Sequence, residues 1–470
     1  MSEAIVVGAG PNGLACAAAL ARTGVDVTVL EATDAPGGGA RSRELTLPGL
    51  LHDVCSAVHP MALGSPFLRS LGLERYGLEW RWPEVDCAHP LDDGSAGVML
   101  RSIDATARGL GVDGPAWRRV FEAPSASFDA LADDVLRPVL HIPRHPVRLA
   151  RFGLVAALPA TAVARAWRTP QARGLFGGIA AHAFSPLGRP MSASVGMALV
   201  CTAHRYGWAV ARGGSQAITD ALLAVLGEHG ARIETDAPVR SLSDLPRVDA
   251  VVLDLAPSRV ADVANGRLPA HVERAYRRYR HGPGAFKLDL AVEGGVPWTN
   301  EACRRAGTVH VGGSFEEVVA AERAVNRGRM PERPFVLVGQ QYLADPGRSA
   351  GDIHPVWAYA HVPAGFTGDA EAAIIDHIER FAPGLRERIA ARAVRSTLQI
   401  ASENENLVGG DIINGANTPW QTIIRPRLAA DPYRTGIPGV FICSAATPPG
   451  AGVHGMNGYN AAQSVLRSLR

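Results

Sequence analysis

The sequence predicts an α/β protein with two parts, a domain built on a parallel sheet and a second domain of mixed α+β structure. Three observations lead to this prediction. A strand, a glycine turn, a helix and a second strand follow one another directly over residues 4–31. Another buried strand and glycine-rich turn lie close to the C-terminus, over residues 439–456. Finally, 470 residues with 47% apolar composition can bury more than one core.

The N-terminal unit begins with Ile5–Val7, a β-branched run typical of a buried strand. Three glycines with G-x-G-x-x-G spacing follow, which allow a tight turn, an approach of the backbone to a pyrophosphate, and close packing of helix on strand. Glu31 ends the second strand, where a carboxylate can bind a free ribose hydroxyl. This pattern predicts a Rossmann-type dinucleotide site. Its predicted contact residues are Gly8, Gly10, Pro11, Asn12, Gly13, Glu31 and Ala32.

A second glycine-rich segment, residues 36–42 (PGGGARS), follows almost at once. Its backbone amides and the guanidinium of Arg41 can bind a phosphate, although a flexible turn with a surface arginine has the same sequence. The run E-A-x(4)-G-G-x-x-R after a first βαβ unit resembles flavoproteins of the amine oxidase superfamily, and among them the phytoene desaturase-like oxidoreductases. The resemblance implies an FAD cofactor that is contacted by Gly38, Gly39, Ala40 and Arg41.

The resemblance extends to residues 52–66, similar to a segment that crosses beneath the flavin in these enzymes. It makes Ser56 and His59 candidates for a place beside the flavin, His59 as a catalytic candidate, although a histidine before Pro60 can also simply cap a turn. A further similar segment places the backbone of Val239 at the adenine edge.

The C-terminal motif of the superfamily corresponds to the strand at Val440–Ile442 and the turn that follows. In relatives this strand ends near the ribityl chain, and the final helix directs its N-terminus at the flavin, where a helix dipole stabilises negative charge. Many relatives have Gly-Asp where this chain has Cys443-Ser444, which removes one carboxylate. His454 is a second catalytic candidate, and a turn residue remote from the flavin is the alternative. The implied FAD contacts are Ser444, Gly452, Val453, Gly455 and Met456.

Lys287 is the only lysine among 47 basic residues. Arginine's planar fork cannot replace a compact ammonium or a base with a tunable pKa, so a retained lysine points to the active site. In amine oxidase-type flavoproteins a lysine near this point of the chain holds a water by flavin N5. The alternatives are chance survival and an exposed ion pair with Asp289, which would contribute little.

The expected FAD-binding domain is discontinuous and comprises residues 1–66, 205–262 and 400–470, while residues 67–204 and 263–399 form the substrate-binding domain. The expected activity is transfer of a hydride from a mainly apolar small molecule to flavin N5, with formation of a C=C or C=X bond. Only one dinucleotide fingerprint has the expected context, so a separate NAD(P)H site is not supported. We therefore expect oxygen or a quinone as the electron acceptor. A flavin amine oxidase and a non-catalytic FAD-binding scaffold remain open.

Charge and cysteine spacing exclude other classes. A net charge of +2 without a basic stripe does not suggest nucleic acid, and widely spaced cysteines exclude a CxxC pair and any cysteine-pair zinc spacing, so no metal site is predicted. Glu3 and the lack of a basic n-region argue against a signal peptide, and we expect a cytoplasmic protein. Residues 149–167 form a basic amphipathic segment that can pack on its own domain or lie on a membrane surface.

Overall fold

The computed structural model describes residues 2–470. Its first sheet is parallel and has the strand order β16-β10-β1-β2-β9. Helices pack against this sheet, and all its strands end at one edge, where ligands bind in open α/β sheets. The strands are β1 (Glu3–Val7), β2 (Asp26–Leu30), β9 (Arg232–Glu234), β10 (Ala250–Leu253) and β16 (Val440–Ile442).

The second sheet is mixed and has the order β15-β11-β14-β13-β12-β6-β7. Its central strands are buried on both faces, because helices cover one side and the first domain approaches the other. The long pair β11 and β14 is antiparallel and sets Lys287 opposite Tyr359 and Asp289 opposite Trp357. The strands are β6 (Val85–Pro90), β7 (Ala96–Met99), β11 (Gly284–Glu293), β12 (Ala306–Val311), β13 (Val336–Gly339), β14 (Ile353–Val362) and β15 (Ile389–Arg395).

Two short ribbons and the helices complete the fold. The ribbons pair β3 (Ser42–Glu44) with β4 (Leu51–Asp53) and β5 (Trp80–Arg81) with β8 (Val210–Ala211). The helices are α1 (Pro11–Ala21), α2 (Pro60–Leu63), α3 (Pro66–Leu71), α4 (Ile103–Gly109), α5 (Gly114–Ala126), α6 (Phe128–Val135), α7 (Pro146–Ala156), α8 (Ala160–Val163), α9 (Pro170–Ala181), α10 (Ala193–Tyr206), α11 (Gln216–Glu228), α12 (Pro257–Ala264), α13 (Ala270–Arg277), α14 (Glu301–Arg304), α15 (Phe315–Val325), α16 (Glu371–Glu379), α17 (Leu385–Arg388), α18 (Thr397–Glu403), α19 (Pro419–Ile424) and α20 (Met456–Ser468).

The predicted fold class is confirmed: an α/β protein with a parallel Rossmann-like sheet and a separate mixed sheet. Every strand of the first sheet lies within residues 1–66, 205–262 or 400–470, and every strand of the second lies in the remaining segments. The domain boundaries themselves stay a prediction.

Some element predictions were wrong. The sequence of residues 110–140 is typical of a helix, but the segment does not form one continuous helix, because Pro124 lacks an N–H donor and the chain breaks at Ser127 before α6 begins. Similarly, Pro159 separates α7 from α8 within residues 149–167. Residues 238–242 are expected to form a strand but do not: the backbone bonds to the segment after β2 end at Asp236 and Ala237, whose N–H groups donate to the carbonyls of Thr33 and Glu31, and the chain then turns into a short 3₁₀ helix.

Candidate active site

The glycine turn after β1 joins strand and helix as its spacing requires. Gly8 has a φ of +100°, a left-handed conformation that favours glycine. A Cβ on Gly13 would lie 2.0 Å from the carbonyl oxygen of Gly8, so only glycine lets α1 approach the strand this closely. The N-terminus of α1 therefore opens at the carboxyl edge of the sheet, where its N–H groups can bind an anion.

Two carboxylates border this turn. Glu31 Oε2 accepts a hydrogen bond from the amide of Ala9 at 2.9 Å, and its Oε1 accepts from the amide of Thr33 at 3.0 Å. Asp254, directly after β10, accepts from the amide of Gly13 at 2.9 Å through Oδ2. Burial raises the pKa of Asp254 to about 7, and the nearby Glu31 acts in the same direction.

Asp254 is a site residue that the sequence reasoning missed. A signal was present, because an acid directly follows a buried strand, and parallel strands end at one edge. The sequence alone did not show that β10 is the neighbour of β1.

The second glycine loop packs directly on the first. Gly37 donates its amide to Ala9 at 2.8 Å, and a Cβ on Gly38 would lie 3.1 Å from the Cα of Gly10. Ser56 fixes the far side of the loop, since its amide and its hydroxyl each donate to the carbonyl of Gly39 at 2.9 Å. Together these contacts hold residues 37–40 beside the N-terminus of α1.

Arg41 is buried beside this loop, and its Nε donates to the carbonyl of Gly38 at 3.1 Å. Burial lowers the pKa of its guanidinium, and the neighbouring Arg43 acts in the same direction. The loop is therefore a formed structure with a buried cation and differs from the flexible turn that was the alternative interpretation.

The C-terminal motif lies against the same turn. A Cβ on Gly458 would lie 1.9 Å from the carbonyl oxygen of Asn12, so α20 and α1 pack with their backbones in contact. The helix α20 begins at Met456 after Gly455, with Gly452 and Val453 in the preceding turn. Ser444 follows β16 at the carboxyl edge of the sheet, as the strand-end position requires.

A cavity with about 30 Å³ of solvent-accessible volume connects the two domains. The first domain contributes glycine backbone and Arg41, and the second contributes aromatic and charged side chains from β11, β14 and β15. Most of the remaining lining is apolar, which suits a mainly apolar ligand. The lining includes Gly38, Gly39, Arg41, Cys55, Lys287, Trp357, Tyr359 and Arg395.

Lys287 lies in this cavity and is only 3% exposed. Its ammonium contacts the carboxylate of Asp289 and lies 5.6 Å from the centre of the Trp357 ring. The pKa of Lys287 is lowered to about 8, chiefly by burial; Asp289 opposes this shift, and Arg395 adds to it. The alternative of an exposed ion pair is excluded by this burial.

A buried charge cluster surrounds Lys287. Asp289 also lies 3.4 Å from Nδ1 of His52 and 3.8 Å from Nη2 of Arg395. Burial would raise the pKa of Asp289, but Lys287, His52 and Arg395 hold it below its usual value. His52 is oriented by Thr46 Oγ1, 2.8 Å from its Nε2. Sequence reasoning missed His52 and Arg395, because their strands are distant along the chain.

The two other histidine candidates lie outside this cluster and do not line the cavity. His59 Nε2 is 2.8 Å from Ser215 Oγ, which itself donates to the carbonyl of Ser56. His454 accepts the amide of Met456 at Nδ1 across 3.1 Å, and its own carbonyl accepts from Ser65. Burial lowers the pKa of each imidazole to about 4, so both are neutral at pH 7.

The remaining predicted residues have separate positions. Ala32 is exposed beside Glu31, and Val239 is half-buried in the loop after β9. Two aromatic residues, Trp357 and Tyr359, line the cavity, with ring centres 5.0 Å apart and planes at 89°. Trp208 is buried elsewhere against Thr308, and Trp420 is exposed.

Comparison with known proteins agrees with this arrangement. A family described as an NAD(P)-binding Rossmann-like domain matches residues 6–66. The pyridine nucleotide-disulfide oxidoreductase domain-containing protein 2 of Rattus norvegicus is 24% identical over 557 residues, which cover 100% of this chain and 94% of the rat protein. Hydroxyneurosporene desaturase of Cereibacter sphaeroides is 29% identical over 263 residues, covering 50% of each chain.

A solved structure of putrescine oxidase bound to putrescine shares the fold, with a TM-score of 0.61 at 18% identity over 99% of this chain and 97% of that chain. The chain thus contains a Rossmann-like domain of the dinucleotide-binding type. The expected enzyme class, an oxidoreductase, agrees with the names of both sequence relatives.

The residues around the glycine turns fit FAD, the dinucleotide implied by the C-terminal motif. The cradle is glycine backbone, where a side chain would block a diphosphate. Ser444 Oγ and Asn12 Oδ1 are buried and have no hydrogen-bond partner among residues 2–470. Each can bond a hydroxyl of a ribityl or ribose group, and such buried polar atoms are normally paired. Trp357 and Arg395 likewise each keep one unpartnered N–H in the described chain.

Proposed function

We propose that this protein is an FAD-dependent oxidoreductase that removes a hydride from a C–H bond of a mainly apolar small molecule and leaves a C=C or C=X bond. The supporting observation is the single cavity lined by Gly38 and Gly39 of the cofactor loop together with Lys287 and Trp357 of the second sheet. When bound, FAD supplies the two-electron acceptor that this chemistry needs. The glycine turns and Glu31 would bind its diphosphate and ribose.

The residues of the second sheet would serve the substrate. Trp357 and Tyr359 present flat apolar surfaces that orient a hydrophobic molecule and exclude water from the reacting bond. Removal of a hydride leaves positive charge on the substrate, and loss of a proton to water or a base completes the double bond. Lys287, with its pKa lowered to about 8 by burial, can hold or donate a proton at Nζ close to pH 7.

The electron acceptor belongs to the same proposal. The chain has one dinucleotide fingerprint in a strand–turn–helix context, over residues 4–31. The second G-x-G-x-x-G match, at residues 109–114, runs from the end of α4 to the start of α5 without a strand before it. Oxygen or a quinone therefore suits the second half-reaction better than NAD(P)H.

A flavin amine oxidase is the second candidate function. It is favoured by one observation, the perpendicular pair of Trp357 and Tyr359 in the cavity, since two aromatic faces can enclose an amine. The neighbouring ammonium of Lys287 and guanidinium of Arg395 disfavour a cationic substrate, because like charges repel in a buried site. We therefore place the amine reaction second.

Spectroscopy and mass analysis of purified protein test the proposal. We expect one FAD per chain, released on denaturation and identified by mass. The variant Glu31→Arg should take up FAD more weakly, because a cation replaces the ribose acceptor. Glu74→Arg, which makes the same charge change at an exposed site on the second domain, should bind FAD normally. A correctly folded protein that never takes up FAD contradicts the proposal.

Substrate class is then tested anaerobically with the FAD-loaded protein. Apolar compounds with a C–H bond next to a double bond should bleach the oxidised flavin, whereas primary amines of similar size should not. Bleaching by amines alone would favour the amine oxidase. Bleaching by neither class, in a protein that dithionite still reduces, would favour the non-catalytic scaffold.

A further inference from the structure

The loop before α7 is a formed structure that presents apolar side chains to solvent. Buried Asp134 organises it: its Oδ1 accepts from the amide of Arg144, and its Oδ2 accepts from the amide of His145, both at 2.8 Å. The ring of His141 bonds the same carboxylate at 3.1 Å and the carbonyl of Pro138 at 2.7 Å. These bonds fix residues 138–145 in an outward-facing turn.

Large apolar side chains project from this turn and from the helix that follows. Hydrophobic residues of this size are normally buried, so several of them in one exposed patch indicate an interaction site. In the turn, Ile142 is almost fully exposed. The exposed fractions are 49% for Val139, 65% for Leu140, 92% for Ile142, 62% for Val147 and 74% for Leu154.

Helix α7 carries this patch on one face. Phe152 and Ala156 are buried, whereas Val147, Arg151 and Leu154, at helical spacing, face outward. The helix therefore packs on its domain, as one interpretation of the sequence expected, and still leaves an apolar and basic face in solvent. Within residues 2–470 no single helix is long and apolar enough to cross a membrane, although α7 and residues 160–166, bent by 92° where they meet, together have that length and apolar composition.

The exposed charges of α7 are basic. Asp134 and Asp220 bound a stretch of sequence without any acidic residue. Within it, Arg148 and Arg151 are exposed and have no ion-pair partner in the described part of the chain, while Arg144 lies 3.4 Å from Asp133. The patch therefore combines apolar side chains at its centre with cations at its edge.

We propose that residues 137–158 form a docking surface for a lipid bilayer that contains anionic headgroups. The apolar side chains would enter the interface between headgroups and acyl chains, and Arg148 and Arg151 would bind the headgroups. A second copy of this chain is a poorer occupant, because a two-fold contact would place identical cationic patches against each other. A lipid surface also suits the proposed apolar substrate, but the docking surface is inferred independently of the reaction.

Vesicle flotation with the full chain tests the proposal. We expect the protein to float with phosphatidylcholine vesicles that contain phosphatidylglycerol, and to bind pure phosphatidylcholine more weakly. Higher salt should weaken binding, since headgroup contacts are screened. The pair Arg148→Gln and Arg151→Gln should lower the partition coefficient about fivefold per arginine.

The apolar contribution is tested by the double variant Leu140→Ser and Ile142→Ser, which should lower partitioning at least about tenfold. Val112→Ser is the matched control, because Val112 is 77% exposed at a different place and should have no effect. Each variant is first compared with the parent by circular dichroism and thermal unfolding.

Three outcomes would overturn the proposal. The first is a folded parent protein that floats with neither kind of vesicle. The second is equal vesicle binding by the arginine and apolar variants and by the Val112→Ser control. Finally, a dimer in solution that the Leu140 and Ile142 substitutions dissociate, without any vesicle binding, would assign the patch to a second copy of the chain.

Discussion

The side chain of Asp254 accepts a hydrogen bond at 2.9 Å from the amide of Gly13, the third glycine of the dinucleotide turn. The carboxyl group belongs to the residue directly after β10 and the amide to α1, so the bond joins two parts of the Rossmann-like unit that are 241 residues apart in sequence. A Cβ on Gly10 would lie 2.8 Å from the same oxygen. A titratable group thus lies directly beneath the proposed diphosphate site.

Replacing Asp254 by Asn should change how stability depends on pH. Burial raises the native pKa of Asp254 to about 7, from 3.8 when exposed. Between these values the unfolded chain loses its proton and the native chain keeps it, so this residue makes the native state progressively less stable as pH rises from 4 to 7. Asn can still accept from Gly13 and does not ionise.

The measurement is urea unfolding at pH 5 and pH 8. The free energy of unfolding of Asp254→Asn minus that of the parent protein should be larger at pH 8 than at pH 5, by at least about 1 kcal/mol. Asp249→Asn, at the other end of the same strand, is the control and should not change with pH in this way. A constant difference between Asp254→Asn and the parent would contradict the raised pKa.

Much of the cofactor domain follows from local sequence. The G-x-G-x-x-G turn, the acid after β2 and the C-terminal turn each have a short-range pattern, and the structure brings them to one edge of the sheet. Asp254 has no such pattern, because its role depends on which strand lies next to β1. Local sequence predicts a turn or a cap, whereas strand order is a long-range property.

Arg348 is another residue with a long-range role. Its Nη1 lies 2.6 Å from Asp53 and its Nε 3.0 Å from Asp345, while Nη2 donates to the carbonyl of Ala211 at 2.7 Å. The side chains of Arg348 and Asp53 are 2% and 0% exposed. Asp53 lies in the expected FAD-binding segment and Arg348 in the substrate-binding segment, so this ion pair connects the two.

Arg348→Met should destabilise the protein by about 3–5 kcal/mol, because it leaves the Asp53 carboxylate buried without its cation. The readout is the free energy of unfolding from a urea titration. Arg240→Met is the control: Arg240 pairs with Glu405 at the surface, and its loss should cost less than about 1 kcal/mol. Equal effects of the two variants would show that the buried pair contributes no more than the exposed one.

The prediction for His454 concerns the start of α20. Since its Nδ1 accepts the amide of Met456, His454→Ala should lose about 1 kcal/mol of stability, as loss of a helix cap does. Burial lowers the pKa of His454 to about 4, so the native imidazole stays neutral down to that pH while the unfolded one gains a proton below 6.5. The contribution of His454 to the free energy of unfolding therefore falls as pH drops from 6.5 to 4.

Turnover separates this structural role from a catalytic one. His454→Asn, which keeps an acceptor for the amide, should restore stability. If His454 only holds the turn, both variants keep the parent's pH profile of turnover and flavin potential. A changed potential in both variants would instead indicate a direct contact with the flavin.

The charge cluster shows why the candidate site was only partly predictable. Lys287 was found from composition, as the only lysine of the chain. Its neighbours His52, Trp357 and Arg395 come from three other strands, β4, β14 and β15. Alternation along β11 predicts that Lys287 and Asp289 share a face, but which strands lie opposite that face depends on how the two domains pack.

Lys287→Arg is the sharpest test of the active site, because it keeps the charge and changes geometry and pKa. Burial lowers the pKa of Lys287 to about 8, whereas a guanidinium remains protonated at every accessible pH. In the parent, a rate that depends on this proton should change with an apparent pKa near 8. That step should be absent in Lys287→Arg and in the neutral variant Lys287→Met.

Two rates are measured between pH 6 and pH 10. The first is the anaerobic reduction of the flavin by a compound that the parent enzyme oxidises, and the second is reoxidation of the reduced flavin by oxygen or a quinone. Arg323→Lys is the control. It exchanges the same two residue types in the opposite direction at an exposed position on α15. If Lys287 positions a proton or water at the reacting atoms, at least one rate falls in Lys287→Arg. The pH dependence should be lost in both Lys287→Arg and Lys287→Met, since both remove the titrating ammonium. Wild-type rates for both half-reactions in Lys287→Arg would reduce Lys287 to a structural partner of Asp289.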